Sequence, residues 1–525
     1  MRHLLPLLLM CACRATPQGE RALHAVGFRS FWLFDEARTY RTTFDGGATY
    51  DGARPLLVLT WFPARAQDEP EMPHADYFGL ASAEPRLARL APALSAYARD
   101  VFVQATMGAA EAELDEAQRS ALAELLASPS GAHRAAAPES GRFPLVLYRS
   151  GAGSSFEDNA ALCTDLARHG YVVVAGAFLR GDGSSFGIDV QADSTADMEF
   201  LVAHARTWPE VDGARVGLVG HSAGAQAILR HALRAQAVGD ALVLLDTTQD
   251  YYGLGLPLHE ELVREALAAR ATLTRPLLVA AGPEALFALV DRLDAAPRTY
   301  LTVPELGHDE FIAQGLQRLA RIERLARAEE RAELGRAPQV RANLRVLEAE
   351  VLAFLDLHLK GRASPGRAPV QAWSATEPSR IEVPAGVSAP EPYDLASPLA
   401  PTPRQFRGLF AEGRVAEACA VLRRFAAAEP RPPILTSTML SGSFLFELDE
   451  AGRRAEAHDY FRTLKELDVP VLGLFEFLAD VCVHTGRREQ ALRFTHLALD
   501  FEPDSATFRA KLAELATPAD DSGNP

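Results

Sequence analysis

Two stretches of the chain match the pattern Gly-x-Ser-x-Gly: Gly183-Ser184-Ser185-Phe186-Gly187 and Gly220-His221-Ser222-Ala223-Gly224. A serine in that pattern becomes a nucleophile when a strand runs into it and a helix leaves it, because the sharp turn between them lifts the hydroxyl clear of the backbone. The first match follows Leu179-Arg180-Gly181-Asp182 with no strand signal before it, and reads as a loop. The second follows the apolar run Val216-Gly217-Leu218-Val219 and leads into the helix former Ala225-Gln226-Ala227-Ile228-Leu229. Ser222 is therefore the candidate nucleophile. In such an elbow strand and helix approach so closely that Gly220 and Gly224 can carry no side chain, and the helix start aims the amide of Ala223 at a developing oxyanion.

A serine hydroxyl needs a base to take its proton. Of the 14 histidines, His308 is best placed, in Pro304-Glu305-Leu306-Gly307-His308-Asp309-Glu310-Phe311 just beyond the last strand candidate. His221 lies inside the elbow and points the wrong way along the chain to be that base. Two carboxylates could hold the imidazole in the needed tautomer. Asp246 ends the apolar run Ala241-Leu242-Val243-Leu244-Leu245, and Glu284 follows the strand candidate Leu277 to Ala281. The pattern alone leaves both open.

These residues require a scaffold of buried strands with crossover helices, and residues 26 to 362 alternate the two signals in that way. The strand candidates are Phe28 to Phe34, Leu56 to Phe62, Leu145 to Tyr148, Tyr171 to Ala177, Val216 to Val219, Ala241 to Leu245, Leu277 to Ala281 and Thr299 to Val303. Most of the later runs are apolar throughout, which predicts helices on both faces of the sheet. An Ala- and Leu-rich helical insertion, about 64 to 140, separates the second and third strands and is either a substrate-side cap or a peripheral subdomain. Residues 363 to 402 are rich in Pro, Ala and Ser and read as a linker.

Beyond the linker, Gly413-Arg414-Val415-Ala416-Glu417-Ala418, Gly452-Arg453-Arg454-Ala455-Glu456-Ala457 and Gly486-Arg487-Arg488-Glu489-Gln490-Ala491 recur with spacings of 39 and 34 residues. Thirty-four is the tetratricopeptide period. Residues 403 to 515 thus resemble a short tetratricopeptide array, a surface of the kind that holds peptides or proteins. The early Trp of that repeat is missing and the first spacing is irregular. Residues 516 to 525 read as a disordered tail.

At the other end Arg2-His3, the apolar Leu4 to Met10 and the small residues around Cys11-Ala12-Cys13 have the layout of an export leader over residues 1 to 18. They also resemble a bacterial lipobox, in which Cys11 or Cys13 would be acylated. Seven apolar residues interrupted by Pro6 are too few to span a bilayer. Cys163, Cys419 and Cys482 are scattered in apolar segments and form neither a disulfide framework nor a metal spacing. The chain has 525 residues, 48% of them hydrophobic, with 53 basic against 69 acidic side chains and a net charge of −16. That composition excludes a disordered protein and a whole-molecule footprint for nucleic acid. No metal motif, phosphate loop or dinucleotide fingerprint is present, so neither a metal nor a cofactor is implied.

Several motifs together resemble the α/β hydrolases of the platelet-activating factor acetylhydrolase and dienelactone hydrolase group, over about residues 26 to 362. They are Arg54-Pro55-Leu56-Leu57-Val58-Leu59-Thr60-Trp61-Phe62-Pro63, Phe143-Pro144-Leu145-Val146-Leu147-Tyr148, His169-Gly170-Tyr171-Val172-Val173-Val174, the elbow, Gly307-His308 and Phe354-Leu355-Asp356-Leu357-His358-Leu359-Lys360. The resemblance implies an α/β-hydrolase fold, followed here by the all-helical repeat region. Since the acetylhydrolase branch carries its acid after the strand that follows the nucleophile strand, it favours Asp246 over Glu284. It also implies a second oxyanion donor in the loop after Tyr148, the amide of Ala152, although Ser150 stands where the family has His.

The resulting expectation is an exported serine esterase cleaving carboxylic esters, with short-chain or acetylated lipid-like substrates implied by the resemblance alone. The rival is a noncatalytic hydrolase-like scaffold in the cell envelope whose repeats bind a protein. Peptidase or C–C hydrolase chemistry on the same three residues stays open. Tyr251, Tyr252, Leu254 and Leu256 are placed either to line an acyl pocket or to pack in a core.

Overall fold

The computed structural model describes residues 23–43, 49–65, 70–79, 88, 90–134, 136–177, 192–234, 237–251, 259–326, 330–362, 378–386, 393–428, 431–484 and 488–516. The expected leader, the loop of the first Gly-x-Ser-x-Gly match, Tyr252, Leu254, Leu256, two stretches of the expected linker and residues 517–525 lie outside them.

All eight apolar runs form strands: β1 Ala25–Thr43, β2 Thr49–Ala64, β4 Phe143–Arg149, β5 Val172–Gly176, β6 Val211–His221, β7 Ala241–Leu245, β8 Leu277–Ala281 and β9 Arg298–Thr302. Two further strands carry no apolar run, β3 His133–Arg134 at the end of the insertion and β10 Ser379–Val383. The second corrects the expectation of a plain linker at 363–402, because it pairs antiparallel with β9 as an edge strand. Its Ile381 and Glu382 face solvent, so the sequence shows no buried run there; pairing, not burial, makes it a strand.

The sheet order is β10-β9-β8-β7-β6-β4-β5-β2-β1-β3. The six strands from β5 to β9 in that order are mutually parallel, and antiparallel strands flank them at both sides. Successive strands move outward from β4 to β5 and then from β4 to β6, which makes the carboxyl ends of β4 and β6 the point where strand order reverses. Open α/β sheets bind ligands at such a crevice.

Alternate side chains of each strand feed two separate cores. Val146, Tyr148, Val173, Val219, Val243 and Leu245 face one, and Leu145, Leu147, Val172, Leu218, Leu242 and Leu244 the other. The first is covered by α1 Leu90–Met107 and α2 Glu116–Ala127 of the insertion and by α3 Ala160–Arg168, and the second by α4 Ala192–Ala205, α5 Ala223–Ala232 and α6 Glu260–Ala269. Helices α7 Ala313–Leu325 and α8 Arg331–Lys360 complete the first layer. The insertion packs on that layer, with the Trp61 Nε1–H donating to Tyr77 at 3.1 Å and the Arg321 Nε–H of α7 to the Thr106 carbonyl at 3.0 Å. This is the α/β-hydrolase fold, followed by an all-helical region.

That region stacks antiparallel pairs: α9 Pro403–Ala411 with α10 Val415–Phe425, then, past the short α11 Pro433–Thr436, α12 Thr438–Glu450 with α13 Arg454–Glu466 and α14 Leu472–His484 with α15 Arg488–Phe501, closed by α16 Ala506–Ala516. The recurring sequence signature has a local cause. Gly413 and Gly452 end the first helix of a pair in the left-handed region, and Arg414 and Arg453 bond Glu417 and Glu456 in the next first turn. Ala418, Ala457 and Ala491 are buried where helices meet. The longer first spacing accommodates α11. The three cysteines are buried and unbonded to one another.

Helix α8 is set by two leucines, Leu355 and Leu359, whose methyls would stand 3.0 Å from a Cβ added at Gly217 of β6. Leu355 is fully buried. Truncating it leaves a cavity under the nucleophile strand, so Leu355→Ala should cost about 2–5 kcal/mol. Urea unfolding of the purified variant checks this through its midpoint.

Candidate active site

The elbow exists because three backbone segments meet with no room for side chains. Strand β6 ends at His221 and α5 begins at Ala223, leaving Ser222 at φ 53° and ψ −123°, a conformation that L-residues rarely adopt. A Cβ at Gly220 would stand 2.6 Å from the Gly224 carbonyl carbon, and one at Gly224 would stand 2.2 Å from the Arg149 oxygen and 2.5 Å from the Ser150 oxygen. The Ser222 amide is held by the Leu245 carbonyl at 2.9 Å. The strained serine therefore sits between the end of β4 and the end of β7.

Two side chains from distant positions converge on it. His308 Nε2 lies 3.0 Å from Ser222 Oγ, and His308 Nδ1 lies 2.7 Å from Asp246 Oδ2. Asp246 is buried at the tip of β7 with φ 42°, its amide bonded to the Ala280 carbonyl at 2.7 Å. His308 starts a short 3-10 turn, His308–Phe311, after β9. Burial alone would pull its imidazole below the ordinary value, but the hydrogen bond and the charge of Asp246 outweigh that and hold it above. Glu284 does not reach the imidazole. Burial raises its carboxyl, and it accepts from the Ser437 hydroxyl at the start of α12.

Ala223 follows the serine, and Ala152 lies one residue beyond Gly151 on the loop after β4. Ala223 is the first residue of α5 and buried, while Ala152 is exposed. That loop presses on the elbow, since a Cβ at Gly151 would stand 3.1 Å from Ser222 Cβ. Backbone amides in this position, with a helix N-terminus behind one of them, can receive negative charge next to the serine oxygen.

Several supporting residues left no signal in the sequence. Asp158 anchors the loop after β4: its carboxyl accepts from Tyr148 at 2.8 Å, from Ser154 and from the Gly151 amide. Burial still pushes that carboxyl up to about 7. The Asp158 carbonyl accepts from the Gln314 amide at 3.0 Å and Asn159 Oδ1 from the Ala313 amide at 3.1 Å, which ties the glycine loop to the segment carrying His308. Arg336 of α8 grips the same segment through Glu310 and the Glu305 carbonyl. His221 is lowered to about 4 by burial and stays neutral; its Nε2–H donates to the His308 carbonyl at 3.0 Å. Its direction away from Ser222 was legible, but not this role. Tyr251, read as pocket or core, packs its ring against both neighbouring apolar clusters, and in addition it donates its hydroxyl proton to Asp246 Oδ1 and accepts from the Gly282 amide at 2.7 Å. Only hydrogen-bond geometry reveals these partners, since each lies far from its neighbour in sequence or in an unremarkable loop. No group of side chains able to hold a metal occurs among the described residues.

No protein-family model matches the chain, and no curated protein does. Among solved structures a ferulic acid esterase from Streptomyces cinnamoneus is similar, with 21% identity over 70% of this chain and 98% of that chain and a TM-score of 0.42. A likeness of that size says nothing of this chain's chemistry.

The elbow packing gives a direct test. Gly224→Ala forces a methyl against two backbone carbonyls and should cost at least about 1–3 kcal/mol, whereas Gly335→Ala, with open space around it in α8, should be neutral or slightly stabilising. Thermal melts of the two variants side by side decide it, and equal melting temperatures would contradict the close approach.

Proposed function

We propose that the protein is a serine hydrolase of carboxylic esters working through Ser222, His308 and Asp246. The single observation that supports it is the unbroken hydrogen-bonded line from Ser222 Oγ through both nitrogens of His308 to the buried Asp246, at 3.0 and 2.7 Å. In this reading neutral His308 takes the Ser222 proton through Nε2 as Oγ attacks the ester carbonyl carbon. Asp246 fixes the tautomer that leaves Nε2 free to accept and stabilises the imidazolium that forms. The carbonyl oxygen gains negative charge beside the Ala152 and Ala223 amides. Collapse of this intermediate expels the alkoxide, which leaves with the proton held on His308. A water then gives a proton to His308 as its oxygen bonds to the acyl carbon, and collapse releases the acid while Ser222 Oγ takes the proton back from His308.

The finer reading, short-chain or acetylated lipid-like esters, rests on the resemblance to the acetylhydrolase group. Export, with an acylated Cys11 or Cys13 as anchor, rests on the composition of residues 1 to 18. A panel of p-nitrophenyl esters from acetate to long acyl chains tests the first, and a turnover maximum at long chains overturns it.

Ser222→Ala should lower kcat on p-nitrophenyl acetate by on the order of 10⁶ and abolish labelling by a fluorophosphonate probe. Retained turnover would sink the mechanism, and wild-type protein inert to the probe would favour the scaffold. Asp246→Asn should lower kcat by about 10⁴, and Glu284→Gln far less; the reverse order would move the acid to Glu284. The pH dependence follows from His308. The base must be neutral, and its folded value lies above the ordinary 6.5, so kcat/KM should fall as pH drops through a midpoint above 6.5. A midpoint below 6.5 contradicts the Asp246–His308 coupling.

A further inference from the structure

Helix α12 has an unusual burial pattern. From Ser441 to Phe446 every residue is buried, so the helix has no open face. Stacked helical pairs ordinarily leave the inner helices with one exposed side, which makes the concave surface used for partners. Helices α9, α11, α13 and α14 pack around α12, and the chain's own hydrolase unit reaches the same apolar cluster. Leu286 and Ala288 of the loop after β8 belong to the same apolar cluster as Phe406, Leu440 and Phe444. At one end of that loop the Glu284 carboxyl accepts from Ser437, and at the other Asp291 pairs with Arg404 of α9, whose guanidinium lies 4.1 Å from the centre of the Tyr300 ring.

The same loop leads to the acid of the site. The Leu286 and Phe287 amides donate to the Asp250 carbonyl at 2.7 and 2.9 Å, with Phe287 held at φ 51°. Its first residue, Gly282, donates its amide to the Tyr251 hydroxyl at 2.7 Å. A phenol has one proton; because this oxygen already accepts from Gly282, the proton must point to Asp246 Oδ1, the oxygen that His308 does not use. The titratable groups facing the pair are His221 and Asp309 beside His308, and Tyr251, Asp250 and Glu284 beside Asp246.

We propose that the helical region acts in cis: its inner face clamps residues 282–291, and through them Tyr251 is a positioning residue that sets the orientation of Asp246 toward His308. The proposal rests on the triad reading above and replaces an external peptide with the chain's own loop as the occupant of this part of the repeat surface. A donor on one carboxylate oxygen draws charge from the other, so Tyr251 also moderates the pull of Asp246 on the His308 proton.

The test follows the downfield resonance of the His308 Nδ1 proton across pH in the full-length protein, assigned by its loss in His308→Gln. Tyr251→Phe should raise the titration midpoint by about one pH unit, since a hydrogen bond to a charged group is lost. It should lower kcat with KM unchanged. Ser437→Ala should move the midpoint in the same direction by less, Ser437→Thr should restore it, and the double variant should move it no further than Tyr251→Phe alone. If Ser437→Ala does not fold, Glu284→Ala cuts the same contact from the other side. An unchanged or lowered midpoint in Tyr251→Phe removes Tyr251 from the role, and wild-type behaviour of a folded Ser437→Ala or Glu284→Ala removes the clamp. The resonance reports on the His308–Asp246 pair whether or not Ser222 turns over an ester, so retained turnover in Ser222→Ala would count against the ester-hydrolase reading separately.

Discussion

The close approach of Gly224 to the carbonyls of Arg149 and Ser150 is the constraint on which the rest depends. It fixes β6 beside β4, because only a neighbouring strand can bring its carbonyl end so near. It forces Ser222 into a strained turn, and that strain persists only where the surroundings over-determine it. Once β4 and β6 are adjacent and the chain departs from them in opposite directions, the loops after β4, β6, β7 and β9 end on one edge. The serine, the glycine loop, Asp246 and His308 are then neighbours without further instruction.

Being neighbours is not enough for chemistry at tenths of an ångström, and the molecule fixes each loop with a different device. Asp158 and Asn159 tie the glycine loop to the start of α7, Arg336 secures the turn before His308, and His221 holds that residue's carbonyl from inside the elbow. Asp246 is held from the far side through Tyr251 and Gly282. Each brace joins segments distant in the chain through a buried polar contact, and such a contact is costly to break because it leaves its partner buried and unpaired.

What the sequence reveals divides along physical lines. Apolar runs such as Ala241 to Leu245 announce buried strands, and Ser222 and His308 follow from strand-turn-helix context and chain order. The Gly-Arg repeats announce helix pairs because Gly413, Arg414, Gly452 and Arg453 each answer a local need at a helix end. Asp246 and Glu284 could not be separated by pattern, since both end strands; the distances set only Asp246 beside the imidazole. Asp158, Arg336 and Tyr251 are invisible because their partners are set by tertiary geometry. Strand β10 escaped notice because an edge strand with one wet side needs a neighbour more than an apolar run.

That edge strand also bears on how the chain is made. Until residues 379–383 leave the ribosome, β9 presents an open row of amides and carbonyls, a template on which any extended nascent segment can dock. The segment that closes it is itself the outermost strand on that side of the sheet, so the open row passes to β10. What stays open after synthesis is short and charged: β10 has five residues, and Arg380 pairs with Glu382 on either side of the exposed Ile381, which makes a poor template for a long pairing.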